Sequence, residues 1–469
     1  MRLARRSLGL SLVALATVFQ TSCSQTAHKP TVQGSASPGT TAVARSQKAG
    51  APAQPVKDVE GAVRRVVDWH PAIQEAAGRI KQQNESIADA RSGYLPSVGG
   101  GLDLGAQNNQ SGSWAPRFNV TASQMIYDFG KVSGRVEAET AVYDVRNAEF
   151  LTAVDDTIRE TVLASVEMLR NESLSSVAKE QVDDVSSIGR LVAARTDRGA
   201  STRSDKLQAE ARIQAAESTA LEISAEKQRW EATLRALLGQ PSSVRLRDGF
   251  PAGLNSACAG REPDWDKVPT VVAARSRKRE ADAQVKLARA EMLPTVALEA
   301  SSRFKTWGND EDPDYVIGVT VKGDLYNGGS FRARQNAARY AAQASQAAIA
   351  AGKFDAQKTW IGAAAQVASL STLQNSLKSR QTMMRETRDL YQKQFLDLGT
   401  RTLLDVLNAD QELHAARFDE INTRFDIYKL NVECAYSAGR LRDIFNLTKP
   451  ASPPVVRGLI ADAELRSSI

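Results

Sequence analysis

No proline occurs between Gly130 and Gln240, and none between Asp314 and Lys449. Proline lacks a backbone N–H and collides with the preceding helical turn, so its exclusion from two such long stretches marks helix interiors. Both stretches are rich in Ala, Glu, Gln, Arg and Leu, which favour helix. Each is interrupted once, near Gly199 and near Gly399. The pattern predicts a long helix over Lys131–Arg198 with a return helix over 202–239, and a second pair over Gly329–Leu398 and 402–445. At 1.5 Å per residue each long helix spans about 100 Å. A helix of that length needs a coiled-coil or tube-like partner. On the last helix Leu404, Leu407, Gln411, His414, Phe418, Ile421, Phe425, Tyr428, Val432 and Ala435 recur at spacings of three and four, which predicts a heptad seam. His414 reads as a hydrogen-bonded member of that seam rather than a ligand.

The two halves resemble each other. His70-Pro71, Ala90-Arg91 and Leu95-Pro96 return as Val268-Pro269, Ala288-Arg289 and Leu293-Pro294, and Tyr127-Asp128-Phe129-Gly130 returns as Tyr326-Asn327-Gly328-Gly329. Gly199, Asp205, Leu207, Ala209 and Gly239 then match Gly399, Asp405, Leu407, Ala409 and Gly439 at a constant offset. The landmarks keep their order, so the chain reads as two versions of one unit, residues 61–240 and 266–447. A connector, 241–265, joins them.

Each unit carries two segments that alternate with period two, at about 96–107 and 117–127, then at about 294–305 and 315–325. Val98, Leu102 and Leu104 alternate with Ser97 and Asp103, while Ile317, Val319 and Val321 alternate with Gly318, Thr320 and Lys322. Segments of roughly ten residues with this pattern suit tilted strands that cross an outer membrane. A soluble hairpin on a core would alternate in the same way. Trp114, Tyr127, Trp307, Tyr315 and Tyr326 fall near the strand ends, where aromatic girdles sit. Asp103, Glu299, Arg303, Lys305 and Lys322 would then line a lumen, or simply be solvated on a wet wall. Gly99-Gly100-Gly101 reads as barrel curvature or a bulge. Four strands cannot close a barrel, and free edges in lipid cost several kcal/mol per unpaired group. Two copies would supply eight strands, a barrel filled by its own side chains. Three would supply twelve and leave a lumen, so a conduit points to a trimer.

The first residues are an export signal. Arg2, Arg5 and Arg6 precede an apolar run of 12 residues, Leu8–Phe19, too short to span a bilayer as a helix. Removing residues 1–22 lowers the formal net charge from +6 to +3, so the basic balance is partly the signal itself. No basic stripe with interleaved aromatics points to nucleic acid. Gln20-Thr21-Ser22-Cys23 resembles a lipobox and departs from it at Gln20. Cys23 is thus a candidate for lipidation, with ordinary cleavage nearby as the other reading. Residues 23–60 form a linker too poor in large apolar side chains to fold for most of its length. Residues 448–469 form a C-terminal tail. Cys258 and Cys434 are disulfide candidates in an oxidising compartment, or two separate buried thiols.

Phe395-Leu-Asp-Leu-Gly-Thr-Arg-Thr-Leu-Leu-Asp-Val-Leu-Asn-Ala-Asp-Gln-Glu-Leu413 and Ala438-Gly439-Arg440-Leu441 resemble the TolC family of outer-membrane efflux and secretion channels. Arg91-Ser-Gly-Tyr-Leu-Pro96 and Leu325-Tyr-Asn-Gly-Gly329 share that likeness, which covers roughly residues 60–447. The resemblance implies a mainly α chain with a transmembrane β-barrel: a homotrimer whose 12-stranded barrel continues into a long periplasmic α-helical barrel. It implies outer-membrane lipid, a periplasmic adaptor and an inner-membrane pump, ABC-type or proton-driven, as partners. The last hairpin leans toward secretion-type relatives and the lipid anchor toward drug-efflux relatives. The turns with Gly199, Thr202, Arg203, Asp205, Gly399 and Thr402 would form the tip that docks an adaptor. Asp405 matches a pore-facing acid of the entrance constriction, and Arg401 lies beside it. Asn408 stands where some relatives have a second acid, which puts strong cation binding there in doubt. Thr402-Leu-Leu-Asp405 and Thr202-Arg-Ser-Asp205 are also capping-box patterns, a role compatible with pore lining.

Nothing points to catalysis, a metal or a cofactor. His28, His70 and His414 lack ligand spacing, and no phosphate-binding loop or nucleophile elbow occurs. A periplasmic coiled-coil adaptor without a pore is the competing reading, and the four amphipathic strands are what such a protein would not need.

Overall fold

Left-handed turns punctuate every long helix. The computed structural model describes residues 56–105, 115–247, 249–260, 262–305 and 314–447. Contacts divide the chain into Met1–Pro52 and Ala53–Ile469, and only the second unit holds described residues. The signal segment 1–22, Cys23, most of the linker, Trp114, Trp307 and the tail 448–469 lie outside them.

The described elements are α1 (Val59–Trp69), α2 (Pro71–Ser92), β1 (Ser97–Gly105), β2 (Ala115–Tyr127), α3 (Lys131–Asp197), α4 (Arg203–Leu238), α5 (Ala252–Asn255), α6 (Pro269–Ala290), β3 (Thr295–Lys305), β4 (Asp314–Lys322), α7 (Ser330–Lys393), α8 (Leu403–Ser437) and α9 (Leu441–Ile444). Helix, two strands, long helix and return helix thus follow one another in residues 71–238 and again in residues 269–437. Several bounds differ from the sequence expectation, among them the end of the last return helix, at Ser437 rather than 445. The linker read as running to residue 60 ends earlier, because Asp58 caps α1 and Val59 is already buried. The connector 241–265 holds α5, whose Leu254 enters the core. The second long helix stops at Lys393 and continues as a wider π turn over Gln394–Leu398.

The repeated landmarks turn out to be helix starts and stops. Asp128 accepts from the N–H of Gly130 at 2.9 Å and of Val132 at 2.5 Å, and so caps α3. Asn327 accepts from Phe331 N–H at 3.4 Å at the start of α7. Gly239, at φ +60°, ends α4 where a Cβ would lie 2.4 Å from the Trp69 ring. Trp69 in turn donates to the Leu237 carbonyl at 2.9 Å. Here the glycine is required by the close approach as well as by the backbone.

β1–β4 form one antiparallel sheet in chain order, so β1 and β4 are its outer strands. Register runs unbroken through Gly99-Gly100-Gly101, so no bulge lies there. The irregularity is in β2, between Met125 and Tyr127. β4 ends at Lys322, short of residue 325, and Leu325 is fully exposed beyond it.

The main core lies between α3, α8 and the short helices, around Phe150, Val154, Ile158, Phe425, Phe445 and Leu254. Arg442 of α9 reaches Asp155 of α3 at 3.0 Å, with both side chains buried. Arg159 of α3 forks onto Glu433 of α8 at 2.7–3.0 Å. α7 differs sharply: over 64 residues it buries only Ala342, Ala356, Ala363 and Leu377, leaving Tyr340, Phe354, Ile361 and Met383 exposed. No described helix is long and apolar enough to cross a membrane.

The heptad seam of α8 holds from His414 to Ala435, and of its earlier positions only Leu407 stays buried. Leu404 and Gln411 are exposed, and Leu403, Val406 and Asp410 are buried instead. There Leu403, Val406 and Leu407 pack with Val185, Ile188 and Val192 from the last turns of α3 and with Phe395 of the π turn.

Cys258 and Cys434 form a disulfide with a Cα–Cα separation of 5.3 Å. It fastens the segment after α5 to α8 across a sequence separation of 176. Closing a loop of that size restricts the unfolded chain by about 5 kcal/mol in the chain-entropy model. The Cys258→Ser/Cys434→Ser double variant should therefore lose about 2–5 kcal/mol in denaturant unfolding. An unfolding midpoint equal to that of the oxidised parent would show that the bond adds no stability.

Candidate functional site

Two regions collect the residues singled out by sequence: the helical turns and the sheet. At the first turn α3 ends with Gly199 at φ +73°, and Ala200 N–H returns to the Arg195 carbonyl at 2.8 Å. At the second, Gly399 has φ +62° and follows the π turn, so Thr400 N–H reaches back to the Gln394 carbonyl at 3.2 Å. The two turns lie side by side. Arg195 donates to the Phe395 carbonyl at 3.4 Å, and its guanidinium sits 4.9 Å from the Phe395 ring.

Both return helices start with a reciprocal capping box. Thr202 Oγ1 accepts from Asp205 N–H at 3.1 Å, and Asp205 Oδ2 accepts from Thr202 N–H at 2.9 Å. Thr402 and Asp405 repeat this at 3.2 and 3.1 Å. The bonds to Thr402, helped by the charge of Arg401, hold the Asp405 carboxyl below its ordinary pKa. Asp205 is lowered by the same bonds to Thr202, with a further one from Ser201. Each acid is therefore a committed anion over the whole neutral range.

The neighbouring residues take other partners. Arg401 lies 4.3 Å over the Tyr391 ring and donates to Gln394 Oε1 at 3.3 Å. Asn408 accepts from Arg212 of α4 at 3.2 Å, and Arg212 also bonds Gln411. Arg203 is exposed at the start of α4. Arg212 was not apparent in the sequence; its signal was a position on α4 matching the exposed face of α8.

A further group was missed. Asp184 of α3, Arg388 of α7 and Asp410 and His414 of α8 meet in one cluster. His414 is the buried, hydrogen-bonded residue its seam position implies, with Nε2 at 3.2 Å from Asp184 Oδ2. Asp410 precedes it by four residues, a spacing that puts both on one helix face. Asp184, Asp410 and His414 are the group among the described residues with metal-ligand atoms close together. The Arg388 guanidinium already supplies the positive charge, at 3.2 Å from Asp184 and 3.6 Å from Asp410.

In the sheet, directly opposed residues share a face. Register therefore puts Asp103, Glu299, Arg303 and Lys322 on one face, together with Ser97, Asn119, Thr121 and Ser301, and sets Lys305 opposite Arg117. Asn119 donates to Asp103 at 3.3 Å, and Lys322 pairs with Glu299 at 2.5 Å. The other face carries Val98, Leu102, Phe118, Leu298, Tyr315, Ile317 and Val319, all exposed; Tyr315 and Ile317 are 73 % and 70 % accessible. Val316 breaks the pattern, standing on the polar face opposite Ser301.

The Outer membrane efflux protein family model matches residues 63–240 and 266–432. The outer membrane efflux protein BepC of Brucella suis is 23 % identical over 402 residues, covering 81 % of this chain and 85 % of its own. The outer membrane protein TolC of Vibrio cholerae is 26 % identical over 77 % of this chain and 86 % of its own. The crystal structure of VceC from Vibrio cholerae shares the fold, with a TM-score of 0.70 at 18 % identity over 81 % of this chain and 96 % of that one.

Removing the Thr402 hydroxyl should loosen the start of α8. Thr402→Ala is expected to cost about 1 kcal/mol of local stability, read as faster amide exchange over Leu403–Val406, with Thr402→Ser restoring it. Unchanged exchange in Thr402→Ala would remove the cap as a determinant of the turn.

Proposed function

The chain belongs to the outer membrane efflux protein family, and we propose that three copies form an exit duct through the outer membrane, the last passage of a tripartite efflux pump or a type I secretion system. The observation that carries this reading is the four-stranded sheet, whose apolar face is exposed and whose outer strands β1 and β4 lack a second neighbour among the described residues. Strands of 9–13 residues reach across a hydrocarbon layer when tilted. Neighbouring copies would pair β1 of one with β4 of the next, and twelve strands leave a lumen where four cannot close.

The exposed apolar residues of α7 support the same assembly, since a helix of 64 residues with four buried positions gains its remaining partners from neighbouring copies. The two halves would then be copies of one structural unit, alternating around a twelve-helix tube in the periplasm. Asp103, Glu299, Arg303, Lys305 and Lys322 would face the barrel lumen. Three Asp405 carboxylates, ionised by their caps, would ring the tube entrance with Asn408 and Arg401 beside them, attracting cations. The turns around Gly199 and Gly399, with Thr202, Arg203, Asp205 and Thr402, would meet a periplasmic adaptor. An inner-membrane pump supplies the energy, and the duct itself performs no chemistry. Cys23 would carry the lipid anchor. A poreless adaptor gives no account of a lipid-length sheet with one greasy face.

Imaging of detergent-extracted particles should show a long three-fold tube; a water-soluble monomer would sink the duct. Ile317→Lys puts a charge on the apolar face and should cost about 2–4 kcal/mol per copy if that face meets the bilayer midplane, read as loss of heat-modifiable oligomer from outer membranes. Asp405→Ala should alter single-channel conductance or its block by cations in a planar bilayer. Identical behaviour in both respects would take Asp405 out of the entrance.

A further inference from the structure

Asp410 is fully buried, and neither of its carboxylate oxygens has a hydrogen-bond partner. It lies roughly 10 Å along α8 from the helix start at Leu403. Its surroundings come from four helices. From α3 comes Asp184, with Glu180 engaged by Arg417 at 2.6 Å. From α7 comes Arg388, whose Nη1 stands 3.2 Å from Asp184 Oδ2 and 3.6 Å from Asp410 Oδ1, and whose Nε lies 2.9 Å from Asp389 Oδ1. From α8 itself comes His414, fully buried, with Nε2 at 3.8 Å from Asp410 and 3.2 Å from Asp184. From α4, Arg212 is committed to Asn408 and Gln411. One guanidinium thus stands between two carboxylates on two different helices, and it is the ion pair by which α7 is tied here to α3.

We propose that Asp410 is a proton-controlled release for this tie. With its proton on, Asp410 is neutral and Arg388 belongs to Asp184. When the proton leaves to solvent, the new anion draws Arg388 toward α8 and repels Asp184, so the bond between α7 and α3 weakens. A neutral carboxyl fits the orphaned site as it stands, because burial without partners penalises the charged form most.

The pH at which this happens follows from the same contacts. Burial, then the charge of Asp184, push the Asp410 carboxyl up to about 7 against the pull of Arg388. His414 moves the other way, its pKa lowered first by burial despite the bond to Asp184. Its imidazole is therefore neutral where Asp410 titrates and does not offset the new charge. The sign is fixed: the tie is whole below about pH 7 and loosens above it. A divalent cation would have to displace Arg388, so the geometry favours a proton over a metal. The release would operate in any assembly that keeps α3, α7 and α8 packed.

Hydrogen exchange on the full chain in detergent tests it, with wild type and Asp410→Asn compared at each pH from about 5.5 to about 8.5 so that intrinsic exchange cancels. The segments around Asp184 and Arg388 should exchange equally in both proteins at the acid end. At the alkaline end they should exchange about tenfold faster in wild type, with the change centred near 7. A constant ratio across the range would overturn the proposal. Infrared difference spectra of wild type alone provide a check independent of the variant's folding: a buried carboxyl C=O band should vanish near neutral pH, and its absence at every pH would equally overturn it. Zinc(II) should leave the exchange pattern unchanged; protection by zinc(II) would make the cluster a metal site instead.

Discussion

The backbone groups on the outer edges of β1 and β4 set the terms for the whole molecule. In water such edges are tolerable. In hydrocarbon each unpaired N–H or C=O costs several kcal/mol. A sheet that carries an exposed face of Val98, Leu102, Ile317 and Val319 is unsuited to water on that side, and its edges are unsuited to lipid. In the proposed assembly, further strands would pair the edges while lipid covers the face. α7 shares part of this condition, since among the described residues it buries few of its side chains.

The helices meet the opposite problem. Their backbone is satisfied internally, and their difficulty is length. A helix of 67 residues such as α3 gains little from propensity alone and depends on packing along its whole course. α3 finds that packing within the chain, against α4, α6 and α8. Charged groups supplement it within the core and at the turns. Arg442–Asp155 and Arg159–Glu433 lock α3 to the α8 end of the core, and Arg195–Phe395 holds the two turns together. The buried Asp410 stands out because it lacks such a match. It adds no firm partner to the packing, so its value lies in what its charge would do to the pair beside it.

Proline and glycine spacing made the helix bounds legible, because those residues act locally and through sterics. Period-two alternation made the strands and their two faces legible for the same reason. The capping boxes at Thr202 and Thr402 could be read from three-residue spacing alone. The failures share a cause. α1 was not read as a helix, because it depends on Val59, Val63 and Val66 reaching a core made by residues far away. The π turn at Gln394–Leu398 has no composition of its own. The seam of α8 holds only in part near the turns, where Leu403 and Val406 join Leu407 in the cluster with α3 and Phe395, and the periodicity of a single helix does not record its neighbours.

By itself the sequence determined the long helices and the strands, their order, the polar and apolar faces of the strands, and the glycines that reverse the chain. These follow from torsional limits and from the spacing of side chains on one element. Only the tertiary structure decided which charges share a space. Asp184, Arg388 and Asp410 are separated by up to 226 positions, and no local rule brings them together; the packing of α3, α7 and α8 does. The disulfide was decided the same way, since two cysteines can bond only where the fold brings their backbones within reach.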